Sequence, residues 1–203
     1  MSHPHLAALG AALGGLEREV PRLETWAGLV GGVLLRGGRL LACGNGGSAE
    51  QAEHLTAELV GRFQEERQAF AALPLHADSA AFTAIGNDYG LGQVFARQVR
   101  AHGRPGDILV CLSTSGVSPN VVEAARAATA AGVTALALTG RGPNPLTRCS
   151  ADAIMVDAAA TCTVQEVHLA AIHILCAGVD AAVRREQAPA LRALDPTPQA
   201  VPR

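Results

Sequence analysis

The sequence predicts a three-layer α/β protein, in which a central parallel five-stranded sheet lies between helices and is preceded by N-terminal helices. Short apolar runs of strand length alternate along the chain with longer segments whose apolar residues recur every three or four positions. This alternation is typical of a parallel sheet that is covered on both faces. Of the 203 residues, 49% are hydrophobic but only 3% are aromatic, so small aliphatic side chains must fill the core.

The predicted elements follow one another in a regular order. Residues 6–35 have helical spacing and are predicted to form two helices, because Pro21 suits the start of a second helix and Gly37-Gly38 suits its end. The predicted strands cover residues 40–43, 73–75, 108–112, 133–140 and 153–159. The third predicted helix begins at residue 48. The fourth runs from residue 79 to a stop at 86–88, and the fifth runs from beyond that stop to about residue 101. The last two cover residues 119–131 and residues 163 to about 185.

Two further expectations concern helix capping and the extent of the domain. Ser48 is expected to cap its helix, because Gln51 follows at the spacing of a capping box. Residues 1–187 are expected to form a single domain, since a chain of this length suits one core. Residues 188–203 are proline-rich and without periodicity, and we expect a disordered tail.

Charge and cysteine content restrict the class of partner and the compartment. The formal net charge is -2, which gives no electrostatic reason to expect nucleic acid or an anionic membrane as a partner. The five cysteines are scattered and form no CxxC pair, so neither a disulfide framework nor a thiolate zinc site is indicated. No basic leader precedes an apolar stretch, and no apolar run is expected to reach the roughly 20 residues that span a bilayer. We therefore expect a cytoplasmic protein.

A hydroxyl-rich segment, "LSTSGVSPN", follows the third predicted strand and leads into a helix. Ligands of parallel sheets bind where strands end and helices begin. Backbone N–H groups and the positive end of the helix dipole attract phosphate there, and the hydroxyls add donors. The alternative is an ordinary N-cap and turn, since Ser, Thr and Gly are common in loops.

A second unusual turn, "CGNGGS", follows the first predicted strand. Its glycines do not have the GxGxxG order, and no lysine follows as in a Walker A loop, so neither nucleotide motif is favoured. A plain glycine turn remains the alternative.

Two helices carry side chains that can bind metal or transfer protons. His54 and Glu58 are four residues apart and therefore share one face of a helix, where they can bind one metal, act as a proton donor and base, or form a simple surface ion pair. In the last helix, Gln165 and His173 are about 12 Å apart along the axis. They either lean toward a site between them or complete a site in an oligomer; His173 could equally be a core histidine. Glu166 and His168 are interpreted as supporting or surface residues.

Taken together, these motifs resemble those of the phosphoheptose isomerases, bacterial sugar isomerases of the SIS fold. The resemblance runs from about residue 33 to 183. It rests on CGNGGS, H-x-x-x-E-L-x-G-R-F from His54 to Phe63, G-N-D-x-G from Gly86 to Gly90, STSG-x-S, Thr139-Gly140, and Q-E-x-H-x-x-x-x-H from Gln165 to His173.

The resemblance implies specific roles for residues of this chain. It implies conversion of sedoheptulose 7-phosphate to D-glycero-heptose 7-phosphate, the entry to heptose nucleotide synthesis, by a homotetramer with active sites between subunits. Glu58 and His173 would be the acid/base pair. The implied zinc ligands are His54, Glu58, Gln165 and His173. The implied substrate-binding residues are Asn45, Gly46, Gly47, Ser48, Glu58, Asn87, Asp88, Ser113, Thr114, Ser115, Ser118 and Gln165, with Ser113, Thr114, Ser115 and Ser118 holding the phosphate.

The chain also departs from the family pattern. Val117 stands where the serine loop often has Asn, and Thr163 stands where Arg commonly precedes the Gln-Glu pair. The stretch "GRGPNPL" lacks the usual paired glycines. These changes leave the chemistry intact and make the exact sugar uncertain.

Two other functions fit an SIS fold. One is a noncatalytic adaptor that binds the bacterial replication initiator protein, but that branch tends to replace the residue at His173 with one such as Asn. The other is a sugar-phosphate-sensing transcription regulator, which would need a DNA-binding segment, and the N-terminal helices lack a basic face.

Overall fold

The computed structural model describes the backbone of residues 3–194 and the side chains of residues 3–187. It contains one sheet of five parallel strands in the order β2-β1-β3-β4-β5. The strands are β1 (Leu40–Cys43), β2 (Ala72–Pro74), β3 (Ile108–Ser113), β4 (Thr134–Thr139) and β5 (Asp152–Met155). The helices are α1 (Pro4–Glu17), α2 (Val20–Leu35), α3 (Gly47–Val60), α4 (Ser79–Tyr89), α5 (Val94–His102), α6 (Pro119–Ala130), α7 (Pro145–Cys149) and α8 (Thr161–Leu194).

The sheet separates two apolar cores, which confirms the three-layer architecture. Because successive side chains of a strand point to opposite faces, Leu40 and Ala42 of β1 lie in one core and Leu41 and Cys43 in the other. Helices α1, α2, α3 and α8 cover the first face, and α5, α6 and α7 cover the second. The carboxyl ends of all five strands therefore meet at one edge of the sheet, where both predicted ligand loops lie.

Three local predictions were wrong, and one short helix was missed. Helix α3 begins at Gly47 with Gly46 as its N-cap, so Ser48 is a buried residue of the first turn and not the cap. Helix α4 continues through the predicted stop at 86–88 and ends at Gly90, whose φ of 83° breaks the helix. The five-residue helix α7 was not predicted, and Asn144 begins it with a capping box. Strand β5 ends at Met155, so it is shorter than the pattern indicated.

The last helix, α8, is longer and more apolar than expected. It continues to Leu194, through the first part of the predicted disordered tail, and the rest of that tail lies outside the described residues. Residues Thr161–Gln187 are long and apolar enough to cross a membrane by length and composition, contrary to the expectation that no such run exists. However, 56% of the most apolar window is buried within the domain, as in the core helix of a folded protein.

Candidate functional site

The two predicted ligand loops lie side by side at the carboxyl edge of the sheet. Cys43 at the end of β1 pairs with Cys111 near the end of β3, so the glycine loop that follows β1 runs beside the serine loop that follows β3. The side-chain amides of Asn45 and Asn120 join them through two reciprocal hydrogen bonds, 2.9 and 2.8 Å long. Asn120 belongs to the quoted serine segment, but sequence reasoning did not select it, because its partner lies 75 residues away.

The glycine loop has the tight backbone that its sequence implies. A Cβ atom at Gly44 would lie 2.5 Å from the carbonyl oxygen of Ser48, and one at Gly47 would lie 2.6 Å from the side-chain nitrogen of Gln165. Close approach of the backbone therefore requires glycine at position 44, whereas at Gly47 the contact is with the movable end of a side chain. The second contact also places Gln165 of α8 against the glycine loop, so this part of the predicted site is brought together.

The serine loop is folded back on itself and leaves free donors. The Gly116 N–H donates to Oγ of Ser113 (3.1 Å), and the hydroxyls of Ser113 and Ser118 are 3.2 Å apart. Within the described residues, the backbone N–H groups of Ser115 and Ser118 donate no hydrogen bond. Unpaired amides and hydroxyls at a helix N-terminus form a suitable anion site. Thr114 is half-buried and Ser115 is exposed in the same loop.

Asn144 supports the serine loop from below, a role that sequence reasoning missed. Gly116 has a φ of 65°, and a Cβ atom there would lie 2.1 Å from Cγ of Asn144. The buried Asn144 amide donates to Oγ1 of Thr139 (3.1 Å), and that hydroxyl donates to the carbonyl of Ser113 (2.8 Å). The altered "GRGPNPL" stretch thus supplies a hydrogen-bonded base for the loop. A capping-box spacing from Asn144 to Thr147 was the available signal.

Helices α3 and α8 bring the predicted acid/base residues to one place. Nε2 of His54 lies 3.0 Å from Nε2 of His173, and the two rings pack edge to face with centroids 5.2 Å apart. Oε1 of Glu58 lies 3.4 Å from Nε2 of His54. Phe63, the last residue of the His54 motif, packs against the His173 ring with centroids 5.7 Å apart. One site therefore contains all three polar side chains.

This cluster is open to solvent in the single chain. The side chain of His54 is 40% exposed and that of Glu58 is 22% exposed. The cluster is therefore accessible to a ligand from outside the described chain. An enzyme that forms a charged intermediate gains from excluding water, because electrostatic interactions are then stronger.

The donor set suits zinc, although the side chains are not spaced for it as they stand. Among the described residues, no group of three His, Cys, Asp or Glu side chains is arranged to hold a metal ion. Two imidazoles and one carboxylate are a known zinc donor set, and tetrahedral Zn–N bonds imply nitrogens roughly 3.3 Å apart. The Nε2 atoms of His54 and His173 lie 3.0 Å apart, close to that spacing. Gln165 is directed to Gly47 and makes no side-chain hydrogen bond within the described residues.

The remaining predicted residues are placed differently. Asn87 and Asp88 are exposed in the last turn of α4 and bond to each other (2.8 Å), and within the described chain no side-chain hydrogen bond or ion pair joins them to the other site residues. Glu166 lies at the surface, where it contacts Nε2 of His5 (3.0 Å).

His168, interpreted as a supporting or surface residue, is fully buried. Neither of its ring nitrogens has a hydrogen-bond partner among the described residues. Burial lowers the pKa of His168 to about 4, and the nearby backbone of Thr139 opposes this shift.

Known proteins share both the sequence and the architecture of this chain. Residues 7–140 match the family model described as SIS domain. A phosphoheptose isomerase from Streptomyces coelicolor is 56% identical over 181 residues, which cover 89% of this chain and 78% of that protein. One from Thiobacillus denitrificans is 46% identical over 177 residues, which cover 86% of this chain and 90% of that protein.

Two solved structures extend this similarity to three dimensions. A phosphoheptose isomerase from Neisseria gonorrhoeae superposes with a TM-score of 0.80 at 40% identity, covering 87% of this chain and 95% of that one. One from Francisella tularensis gives a TM-score of 0.81 at 33% identity, covering 87% of this chain and 94% of that one.

Proposed function

The chain belongs to the phosphoheptose isomerases of the SIS-domain family and is a sugar-phosphate isomerase, and we propose that its substrate is sedoheptulose 7-phosphate. The product would be the aldose D-glycero-heptose 7-phosphate. The alignments cover most of the length of the two phosphoheptose isomerases named above, which supports a seven-carbon substrate. The single observation that carries the proposal is that Glu58 of α3 and His173 of α8 both lie against Nε2 of His54.

We propose that the phosphate binds at the serine loop. The free amides of Ser115 and Ser118 and the hydroxyls of the loop support this role, since they can surround phosphate oxygens without a counter-charge. Asn45 of the glycine loop would contact the sugar, and the Asn120 amide would hold the Asn45 side chain in place for this contact. Asn87 and Asp88 would contact a sugar bound to another subunit, which is consistent with their exposed side chains having no hydrogen bond to the other site residues within the described chain.

Isomerisation requires two proton transfers, one between C1 and C2 and one between O1 and O2. Glu58 is the group suited to remove the proton from C1 and return it to C2, because a carboxylate is an effective general base. His173 is suited to move the proton between the two oxygens, since an imidazole can donate and accept near neutral pH. The resulting enediolate carries negative charge on oxygen, which nearby donors would stabilise.

We propose that His54, Glu58 and His173, together with Gln165, hold zinc when it is present. The ion would supply Lewis-acid polarisation of the substrate carbonyl. Since Glu58 and His173 are each assigned both to the metal and to proton transfer, at least one of these double assignments would have to be partial or alternate during turnover. His54 has no proton-transfer role in this scheme and is the residue committed to binding the metal.

We also propose that the working enzyme is a cytoplasmic homotetramer in which each site is closed by a neighbouring subunit. The exposed side of the His54 and Glu58 cluster supports this arrangement, because it leaves the reacting groups in contact with bulk water in a single chain. Nothing in the charge of the chain favours nucleic acid or a membrane as a further partner.

The test follows sedoheptulose 7-phosphate in D₂O by ¹H and ³¹P NMR. We expect the aldose to form, with deuterium at C2 to the extent that the proton taken up by Glu58 exchanges with solvent before it is returned to carbon. Turnover that persists at the parent rate in Glu58→Gln would contradict the role of Glu58 as the base, and addition of a chelator tests the metal separately. Absence of turnover with zinc supplied, together with binding to the replication initiator protein, would favour the adaptor function over the isomerase function.

A further inference from the structure

A buried ion pair between Arg67 and Asp180 lies next to the proposed proton-transfer residues. Nε of Arg67 donates to Oδ1 of Asp180 over 2.8 Å, and each side chain is only 4% exposed. Burial of two charges is costly unless nearly all of their polar atoms are paired. The pair was not selected from the sequence, because Arg67 lies in a segment without regular structure.

The guanidinium of Arg67 binds the end of the helix that carries Glu58. It donates to the backbone carbonyl of Glu58 itself (2.6 Å), to that of Leu59 (3.0 Å) and to that of Gly61 (3.4 Å). These carbonyls end helix α3 and lack a partner within it, and a cation at a helix C-terminus is also favoured by the dipole. Arg67 therefore fixes the backbone from which the Glu58 carboxylate projects.

Asp180 connects this helix end to the helix that carries His173. It lies seven residues after His173 on α8, about two turns further along the same face. Its second oxygen accepts from the backbone N–H groups of Gln64 (3.3 Å) and Glu65 (3.4 Å). The segment that follows α3 is thus tied to α8 through one carboxylate.

Cys176 provides a second indication that the ion pair and the proposed base are close. It lies on α8 between His173 and Asp180 and is buried. Burial raises the pKa of the Cys176 thiol to about 12; the charges of Glu58 and Asp180 add to this rise, and the charge of Arg67 opposes it. Both carboxylates therefore act on the same buried thiol.

We propose that Arg67 and Asp180 are positioning residues that set the spacing of Glu58 and His173 and so control the rate of proton transfer. The inference rests on the proposed function of these two residues. Neither Arg67 nor Asp180 would touch substrate. A buried ion pair often stabilises a protein no more than an apolar pair of similar volume. Its hydrogen bonds, however, fix the relative orientation of the elements that they join. Proton transfer is sensitive to such geometry, since a 1 Å displacement can cost about 100-fold in rate.

The test compares Asp180→Asn with Asp107→Asn in the full chain. Asp107 is a matched control, because its side chain is also 4% exposed, pairs with an arginine (Arg39) and accepts backbone N–H groups, but it lies before β3, away from the site. Steady-state kinetics with sedoheptulose 7-phosphate give kcat and KM, and circular dichroism confirms that each variant is folded at the assay temperature.

We expect Asp180→Asn to lower kcat by about 10- to 100-fold with KM changed less than about threefold. The primary isotope effect with substrate deuterated at C1 should rise, because proton transfer becomes more rate-limiting. Asp107→Asn should lower thermal stability by a similar amount while leaving kcat within about twofold of the parent. Equal loss of kcat in the two variants, or an unchanged kcat in Asp180→Asn, would overturn the proposal. If Asp180→Asn fails to fold, Arg67→Lys is measured, and the same outcomes apply because lysine keeps the charge but loses the fork of donors.

A readout independent of turnover separates this proposal from the proposed function. The ¹⁵N chemical shifts of the His54 and His173 imidazoles report their contact directly. We expect them to change in Asp180→Asn and to stay constant in Asp107→Asn. Unchanged shifts in Asp180→Asn contradict the positioning role, whereas a parent protein without isomerase activity contradicts the substrate assignment alone.

Discussion

His54 and His173 lie 119 residues apart in the chain, and their Nε2 atoms are 3.0 Å apart. At this distance one nitrogen must donate and the other accept, unless a metal ion lies between them. Because Glu58 contacts the same nitrogen of His54, the two helices contribute to a single site. The predictions below depend on this contact and on the loops that adjoin it.

Replacement of His173 by Asn should remove turnover and leave the assembly intact. Asn fills much of the same space but does not exchange protons near neutral pH, so kcat should fall by about 10²- to 10⁴-fold. The rate is followed by NMR, and sedimentation velocity reports the oligomeric state. Full activity in this variant would remove His173 from the mechanism, and loss of assembly would make the variant uninformative about chemistry, in which case His173→Gln serves instead.

Replacement of His54 by Ala should lower bound zinc and activity together. The imidazole contributes one of the three clustered donors and has no proposed proton-transfer role. Metal content is measured by mass spectrometry after dialysis against zinc, with His102→Ala as the control, because His102 lies in the last turn of α5 on the other face of the sheet. Retention of a full equivalent of zinc by His54→Ala would show that the ion binds elsewhere.

Replacement of Gly116 by Ala should weaken substrate binding through the serine loop. The new Cβ atom would lie 2.1 Å from Cγ of Asn144 at a φ of 65°, so the loop or its supporting amide must move. We expect KM to rise at least about tenfold and the free energy of unfolding to fall by roughly 1–3 kcal/mol. Gly106→Ala is the control, because Gly106 has a φ of 91° but no atom within 4 Å of its Cβ position. A KM equal to that of the control would show that the loop does not hold substrate.

Acid should destabilise the protein through His168. Its pKa is lowered to about 4 by burial, whereas an unfolded histidine titrates near 6.5, so the unfolded chain binds a proton that the folded chain excludes. The free energy of unfolding should therefore be greatest above pH 6.5 and fall as the pH drops toward 4.

For this one group the loss should be about 2.5 kcal/mol between pH 7.5 and 4.5. Urea unfolding at several pH values measures it, and His168→Leu should flatten the profile in this range. An equally steep profile in that variant would assign the acid sensitivity to other groups.

Much of the fold follows from local pattern, and the errors follow from contacts that pattern does not contain. Strands β1 and β3 were predicted within one residue, because each is a short apolar run bounded by glycine or polar residues. Ser48 was assigned as a cap from its spacing to Gln51, but the Gln51 amide instead donates to the carbonyl of Gln165 on α8 (2.6 Å). The Gln51 side chain, which a capping box would use locally, is thus hydrogen-bonded to a residue far away in the chain.

The site residues likewise fall into those that local pattern predicts and those that depend on contacts with distant parts of the chain. His54 and Glu58 could be placed together from helical spacing alone, and the contact with His173 is consistent with the family resemblance. Asn120, Asn144 and the Arg67–Asp180 pair could not be predicted, because each acts through a partner in another element. His168 was placed too near the surface, since a histidine in an apolar helix gives no sign of which face it occupies.

The reciprocal amide pair of Asn45 and Asn120 joins the two ligand loops through contacts of the chain itself. A sugar phosphate would then bind to a preorganised site, and the two loops would lose little backbone freedom on binding. Affinity can thus come from a few donors with modest individual strength, since the entropic cost of ordering the chain is met during folding and not at each encounter.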